Sequence, residues 1–271
     1  MRHERERAVS TPPRAESHTG VAVQHLSGGR IAHVTLDLGK GNIIDGACIA
    51  SLREVFQGLS MEKPLCAVIL DAAGKDFSFG ASVEEHAPGQ VDQMLPALHN
   101  LAREVLDLNT FLVAAIQGRC LGGGLELALL ADRIVATPSA CLGQPEVSLG
   151  VFAPLASALL PHRVGPPLAT DLLTSGRTLS GEQALTQGLV QELADDPTQA
   201  AIAWCEEHLA PKSAEGLRHA VSAARHSWRA QALSTLAELE EVYLGPLQQT
   251  ADALEGITAF LERRKPTWRD A

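Results

Sequence analysis

The sequence predicts an α/β fold, because short apolar runs of strand length alternate with helical patterns over its first two thirds. Two further features support this. A glycine triplet separates a buried apolar run from a helix, and beyond Val147 helical patterns take over. Strands followed by crossover helices build right-handed units around a parallel sheet. With 271 residues, 45% of them hydrophobic, the chain has material for a sizeable core.

The first residues, from Met1 to about Gly20, are polar, carry Pro12 and Pro13 and lack a hydrophobic period, so 1–20 reads as a disordered tail. Val21–Leu26 and Ile31–Leu36 flank Ser27-Gly28-Gly29 and predict a hairpin. Asp45 is placed to N-cap a helix whose apolar residues Ile49, Leu52, Val55, Phe56 and Leu59 share one face. A buried strand is expected over Leu65–Leu70, a helix over Val91–Leu108 and a second buried strand over Phe111–Ile116. Gly122-Gly123-Gly124 then open a helix over Leu125–Ala131, followed by a strand at Arg133–Thr137. Residues 21–197 are expected to form the core, and 198–271 a helical region with helices over Ala200–Leu209, Ala214–Ser227, Ala230–Leu247 and Ala251–Arg264. Leu233, Leu236, Leu239, Glu240 and Tyr243 suggest one amphipathic face, suited to packing within the chain or to a subunit interface.

A formal net charge of -10 argues against nucleic acid and anionic membrane surfaces, which need clustered Lys and Arg. No apolar run approaches the roughly 18 residues of a membrane span. Met1–Arg7 lacks the apolar stretch of a secretory signal, so a cytoplasmic location is expected. Five scattered cysteines fit buried free thiols, and neither they nor the ten histidines show metal-ligand spacing, so no metal is expected.

The chemistry concentrates between Phe111 and Pro154. Glycines 122–124 let a ligand approach the backbone, and the helix behind them presents unpaired amides with the positive end of its dipole. That is a site for negative charge developing during a reaction. A phosphate loop fits poorly, since no Lys-Ser/Thr follows the glycines and G-x-G-x-x-G spacing is absent. Glu126 lies in the first helical turn among Leu121, Leu125, Leu127, Leu129 and Leu130, and a carboxylate in such surroundings needs a partner or a purpose. Glu146 follows Gly143 and Pro145. Two carboxyls delivered by separate glycine-containing turns suit general acid–base chemistry.

G-R-C-L-G-G-G-L-E-L-A followed by G-Q-P-E-V-S-L-G resembles the signature of the crotonase (enoyl-CoA hydratase/isomerase) superfamily, and Phe77–Val83 is similar to that family's other oxyanion segment. The resemblance runs from Val21 to the C-terminus. It implies a crotonase-like superhelix of repeated ββα units with a helical C-terminal trimerisation region, hence a homotrimer or homohexamer. It also implies an acyl-CoA thioester substrate and no cofactor, coenzyme A being part of the substrate. Carried over by position, the oxyanion amides fall on Ala81 and Gly123 and the hydratase carboxyls on Glu126 and Glu146, with Phe79, Gly80, Ser82, Gly122 and Phe152 around the substrate.

Ser82 after Gly80-Ala81 and the segment Gly150–Ser157 depart from ordinary enoyl-CoA hydratases. They resemble a branch that hydrates cyclic conjugated dienoyl-CoA, which implies 6-hydroxycyclohex-1-ene-1-carbonyl-CoA as product. A linear enoyl-CoA hydratase and a non-catalytic binding protein of the same fold are the competing expectations. Phe152 reads equally as a ring-pocket wall and as core. His86 is expected on a loop beside the acyl site, Glu84-Glu85 on a solvated face, and His162-Arg163 and Lys40 at the surface.

Overall fold

The computed structural model describes residues 15–270. Strands β1 (Ala15–His18), β2 (Val21–Leu26) and β3 (Ile31–Leu36) form an antiparallel meander, so the sheet begins inside the segment expected to be disordered; the rest of that expectation, residues 1–14, lies outside the described residues. Helix α1 (Gly46–Ser60) follows, and its N-cap is Asp45, which accepts from the Cys48 amide at 2.8 Å. Next come β4 (Ala67–Ala72), α2 (Val91–Asp107), β5 (Phe111–Ile116), β6 (Arg119–Leu121), α3 (Gly123–Leu129), β7 (Arg133–Ala136) and β8 (Cys141–Gly143). The chain continues through α4 (Pro154–Val164), α5 (Pro166–Ser175), β9 (Thr178–Ser180), α6 (Gly181–Thr186), β10 (Glu192–Leu193), α7 (Pro197–His208), α8 (Ala214–Leu244) and α9 (Ala251–Leu261).

The main sheet runs β1-β2-β3-β4-β5-β7-β10, parallel from β3 onward. Both of its faces are covered, which explains why β4 and β5 read as continuous apolar runs. Val68 and Leu70 of β4 join α1 and α2 in the larger core, while Ala67 and Ile69 point the other way and meet Ala201, Cys205 and Leu209 around α7. A second sheet, β6-β8-β9, sits apart. Its three-residue strands are too short to leave a hydrophobic period that sequence patterning could register.

Helix α8 corrects another expectation. Two helices were predicted, broken near Trp228, yet 31 residues run without interruption. Trp228, Arg229 and Ala230 include neither Gly nor Pro, so nothing ends the helix there. Its N-terminal half is tied to the sheet by Arg225, which is buried and binds Asp132 through Nε at 2.8 Å and Nη2 at 2.5 Å. Arg225 Nη1 also donates to the Leu108 carbonyl at 2.7 Å. Further along, Glu240 pairs with the fully buried His99 of α2 at 2.5 Å. Arg163, expected at the surface, instead donates to the carbonyls of Leu129 and Ala131 behind α3.

Candidate active site

A cavity of about 230 Å³ opens where the glycine turn, the Phe77–Val83 loop, α2, α4 and the C-terminal helices converge. Its first wall is that loop. Ser78 Oγ donates to the Asn42 carbonyl at 2.7 Å and accepts from the Gly80 amide at 3.1 Å. Ile44 donates its amide to the Gly80 carbonyl at 3.0 Å and accepts from the Ser82 amide at 2.8 Å, clamping Ala81 between them.

The second wall is the start of α3. Gly122 has φ 51° and ψ −128°, a backbone region closed to side chains, and a Cβ there would stand 2.7 Å from a Glu146 carboxylate oxygen. A Cβ on Gly123 would stand 2.9 Å from the Ala81 nitrogen, so glycine is what lets the two loops meet. Among the described residues, neither the Ala81 nor the Gly123 N–H has an acceptor, and both residues line the cavity. Two unpaired donors side by side in a mostly apolar pocket can hold an oxyanion.

Glu126 and Glu146 complete this end. Glu126 is 5% exposed, and its Oε1 accepts from the Ala156 amide at 2.9 Å, in the first turn of α4. Glu146 begins a 3-10 turn, Glu146–Leu149. In the amide orientation that pairs donor with acceptor, the buried Gln144 nitrogen lies 3.0 Å from both Glu146 oxygens. Burial pushes both carboxyls well above the usual range. For Glu146 the neighbouring Glu126 charge pushes in the same direction, whereas the Ala156 amide partly offsets the rise at Glu126. Among the described residues, no Lys or Arg lines the cavity to neutralise them. His86 does line it, with Nδ1 2.7 Å from the Ser82 carbonyl, and burial lowers its pKa, favouring the neutral ring.

Most residues picked out by sequence converge here: Phe79, Gly80, Ala81, Gly122, Gly123, Glu126, Glu146 and Phe152 all line the cavity. Ser82 does not. It holds the loop through its amide and His86 through its carbonyl. Glu85 is no mere solvated acid either, since its carboxylate accepts from Gly46 at the start of α1. Phe152 is a cavity wall and also packs edge-on to Tyr243, ring centroids 5.5 Å apart. Sequence reading missed Gln144 as a partner of Glu146, although it stands two residues away in the same motif. It missed the α4 amide for want of any local signal, and it left Tyr243 on an unassigned helix face.

The enoyl-CoA hydratase/isomerase family profile matches residues 27–271. The chain belongs to this family. It is 47% identical to the cyclohexa-1,5-dienecarbonyl-CoA hydratase of Thauera aromatica, an alignment covering 89% of this chain and 94% of that protein. It is 31% identical to the carnitinyl-CoA dehydratase of Citrobacter koseri, over 89% and 95% of the two chains. An enoyl-CoA hydratase structure from Mycobacterium avium subsp. paratuberculosis superposes with a TM-score of 0.82 at 22% identity, covering 94% of this chain and all of the other, and so shares the crotonase fold.

Proposed function

We propose that this family member is a hydro-lyase that adds water to a cyclic conjugated dienoyl-CoA, giving 6-hydroxycyclohex-1-ene-1-carbonyl-CoA. The observation that carries the reading is the pairing, in one cavity, of two free amides with two carboxyls, one buried and one half-buried, that no described cation neutralises. The thioester oxygen sits between the Ala81 and Gly123 amides. One carboxylate accepts a proton from water as the hydroxyl oxygen bonds to the ring carbon β to the carbonyl. The electron pair moves through the conjugated system onto the thioester oxygen, where the amides hold it. A carboxylic acid then delivers a proton to the far end of that system, so the added water is fully accounted for. Raised pKa values keep one member of the pair protonated and able to donate near neutrality.

The 47% identical relative supports the cyclic substrate, as does the apolar, aromatic lining that Phe79, Phe152, Leu95 and Leu98 give the cavity. No cofactor enters this reading, coenzyme A arriving as part of the substrate. Assembly into trimers or hexamers fits the exposed Leu254, Phe260 and Leu261 of α9, apolar surface for a second copy to cover. Five free cysteines fit a cytoplasmic location. Among the described residues no helix is long and apolar enough to cross a membrane, and no cluster of three or more potential ligands could hold a metal ion.

Steady-state kinetics with cyclohexa-1,5-diene-1-carbonyl-CoA and crotonyl-CoA test the proposal. A higher kcat/KM on the cyclic thioester is expected. Preference for crotonyl-CoA would assign the protein to linear enoyl-CoA hydration, and inactivity on both would leave a binding protein.

A further inference from the structure

Tyr243, the chain's single tyrosine, is 1% exposed and lines the acyl cavity from α8. Its hydroxyl has no hydrogen-bond partner among the described residues. Leaving such a group unpaired costs about 1–3 kcal/mol, so a buried orphan hydroxyl asks for an explanation. Core packing does not supply one, because phenylalanine would pack equally well without the cost. The ring is firmly held. Phe152 meets it edge-on, and one helical turn earlier Glu240 bonds to His99 of α2, whose neighbours Leu95 and Leu98 line the same cavity. The phenol feels the charges of both Glu146 and Glu126, yet it bonds directly to neither. It therefore faces the space in which both carboxyls act without being spent on either.

We infer that the Tyr243 hydroxyl is a third polar contact for the oxygen that is added: it hydrogen-bonds the reacting water before attack and the new ring hydroxyl afterwards. This inference rests on the hydration reading above and deepens it. The carboxyls handle protons, and the phenol fixes where the oxygen stands. Burial and the two nearby carboxyls push its own acidity far from neutrality, so it remains a donor throughout. Tyr243 thereby favours an acyl group whose hydroxylated carbon lies beside the aromatic wall of Phe152, which a ring presents and a freely rotating chain does not.

Tyr243→Phe removes one oxygen and keeps the ring packing. Hydration of the cyclic dienoyl-CoA is expected to lose about 10-fold in kcat, the size of one neutral hydrogen bond, with KM for the thioester little changed because the contact holds the water and not the unsaturated acyl group. The melting temperature is expected to hold or rise, because an unpaired buried hydroxyl has gone. A purely structural role would give the opposite sign. A second arm avoids catalysis altogether. Binding of 6-hydroxycyclohex-1-ene-1-carbonyl-CoA is compared with that of cyclohex-1-ene-1-carbonyl-CoA, which lacks the hydroxyl. The wild type is expected to prefer the hydroxylated thioester, and Tyr243→Phe to lose most of that preference. A wild type active in hydration whose Tyr243→Phe variant keeps full kcat and full discrimination overturns this inference alone. A wild type that hydrates neither cyclic nor linear thioesters overturns the hydration reading and this inference with it.

Discussion

Two of the places where this protein shelters acids from water treat them differently. Asp132 is met by the buried Arg225 guanidinium through two bonds and by the Leu112 amide at 2.8 Å. Glu126 receives the Ala156 amide, and its neighbour Glu146 is a second acid rather than a cation. The first arrangement satisfies charge and ties α8 to the sheet. The second leaves charge uncompensated, so the proton is held instead, and a held proton is one that can be transferred. Neutralising a sheltered acid serves the fold, and declining to do so suits the proposed reaction.

The sharpest way to break this contrast is to exchange the consequences. Glu126→Gln is expected to lower kcat for hydration by about 100- to 10,000-fold, the range for a general acid–base group, as measured by steady-state kinetics. The same variant should not lose stability. A carboxyl whose folded pKa is raised contributes stability that is fully present below its unfolded value and lost as pH rises through the folded one. Glu126→Gln removes that loss, so its melting temperature relative to wild type should be higher at pH 8 than at pH 5. A fall at pH 8 would mean that Glu126 is a structural ion.

Gly123→Ala keeps both acids but crowds the Ala81 amide, and about 100- to 1000-fold in kcat is expected to go, since an oxyanion donor is lost. Arg225→Met tests the other region. Breaking a buried pair is expected to cost about 3–5 kcal/mol by urea unfolding, while kcat/KM of the folded protein stays within a few-fold of wild type. An active-site defect larger than the stability loss would erase the distinction between the two regions. The smallest effect is expected from Phe152→Ala. Its kcat/KM ratio of cyclic to linear thioester should fall about 10-fold, and an unchanged ratio would make Phe152 core rather than pocket.

How legible these features were depends on the range of the forces behind them. The β2–β3 hairpin, the Asp45 cap, the buried β4 and β5 runs and the glycine turn all follow from neighbours in sequence, and the structure has them. Glu126 stood out because leucines flank it on both sides. Arg225 did not, since one arginine on a helix reads as solvated until Asp132 arrives from 93 positions away. Tyr243 suffered the same way. Helical periodicity shows that a face is buried and is silent about what it is buried against. Ser82 was misjudged by a single position, because whether Ala81 or Ser82 turns toward the cavity is set by the clamp on Ile44, a contact across 38 positions.

Helix α8 is about 46 Å long at 1.5 Å per residue, with the Arg225 anchor inside its N-terminal half and Tyr243 at its C-terminal end. The amides and acids proposed to carry the reaction are encoded between residues 77 and 156, whereas this part of the cavity wall is encoded nearly ninety positions later. Inheritance can therefore edit the two separately. Substitutions along the far end of α8 and in α9 can reshape the acyl pocket while the proton-handling groups pass unaltered to descendants. A change of acyl specificity made at that end of the helix would leave the groups proposed to add water in place.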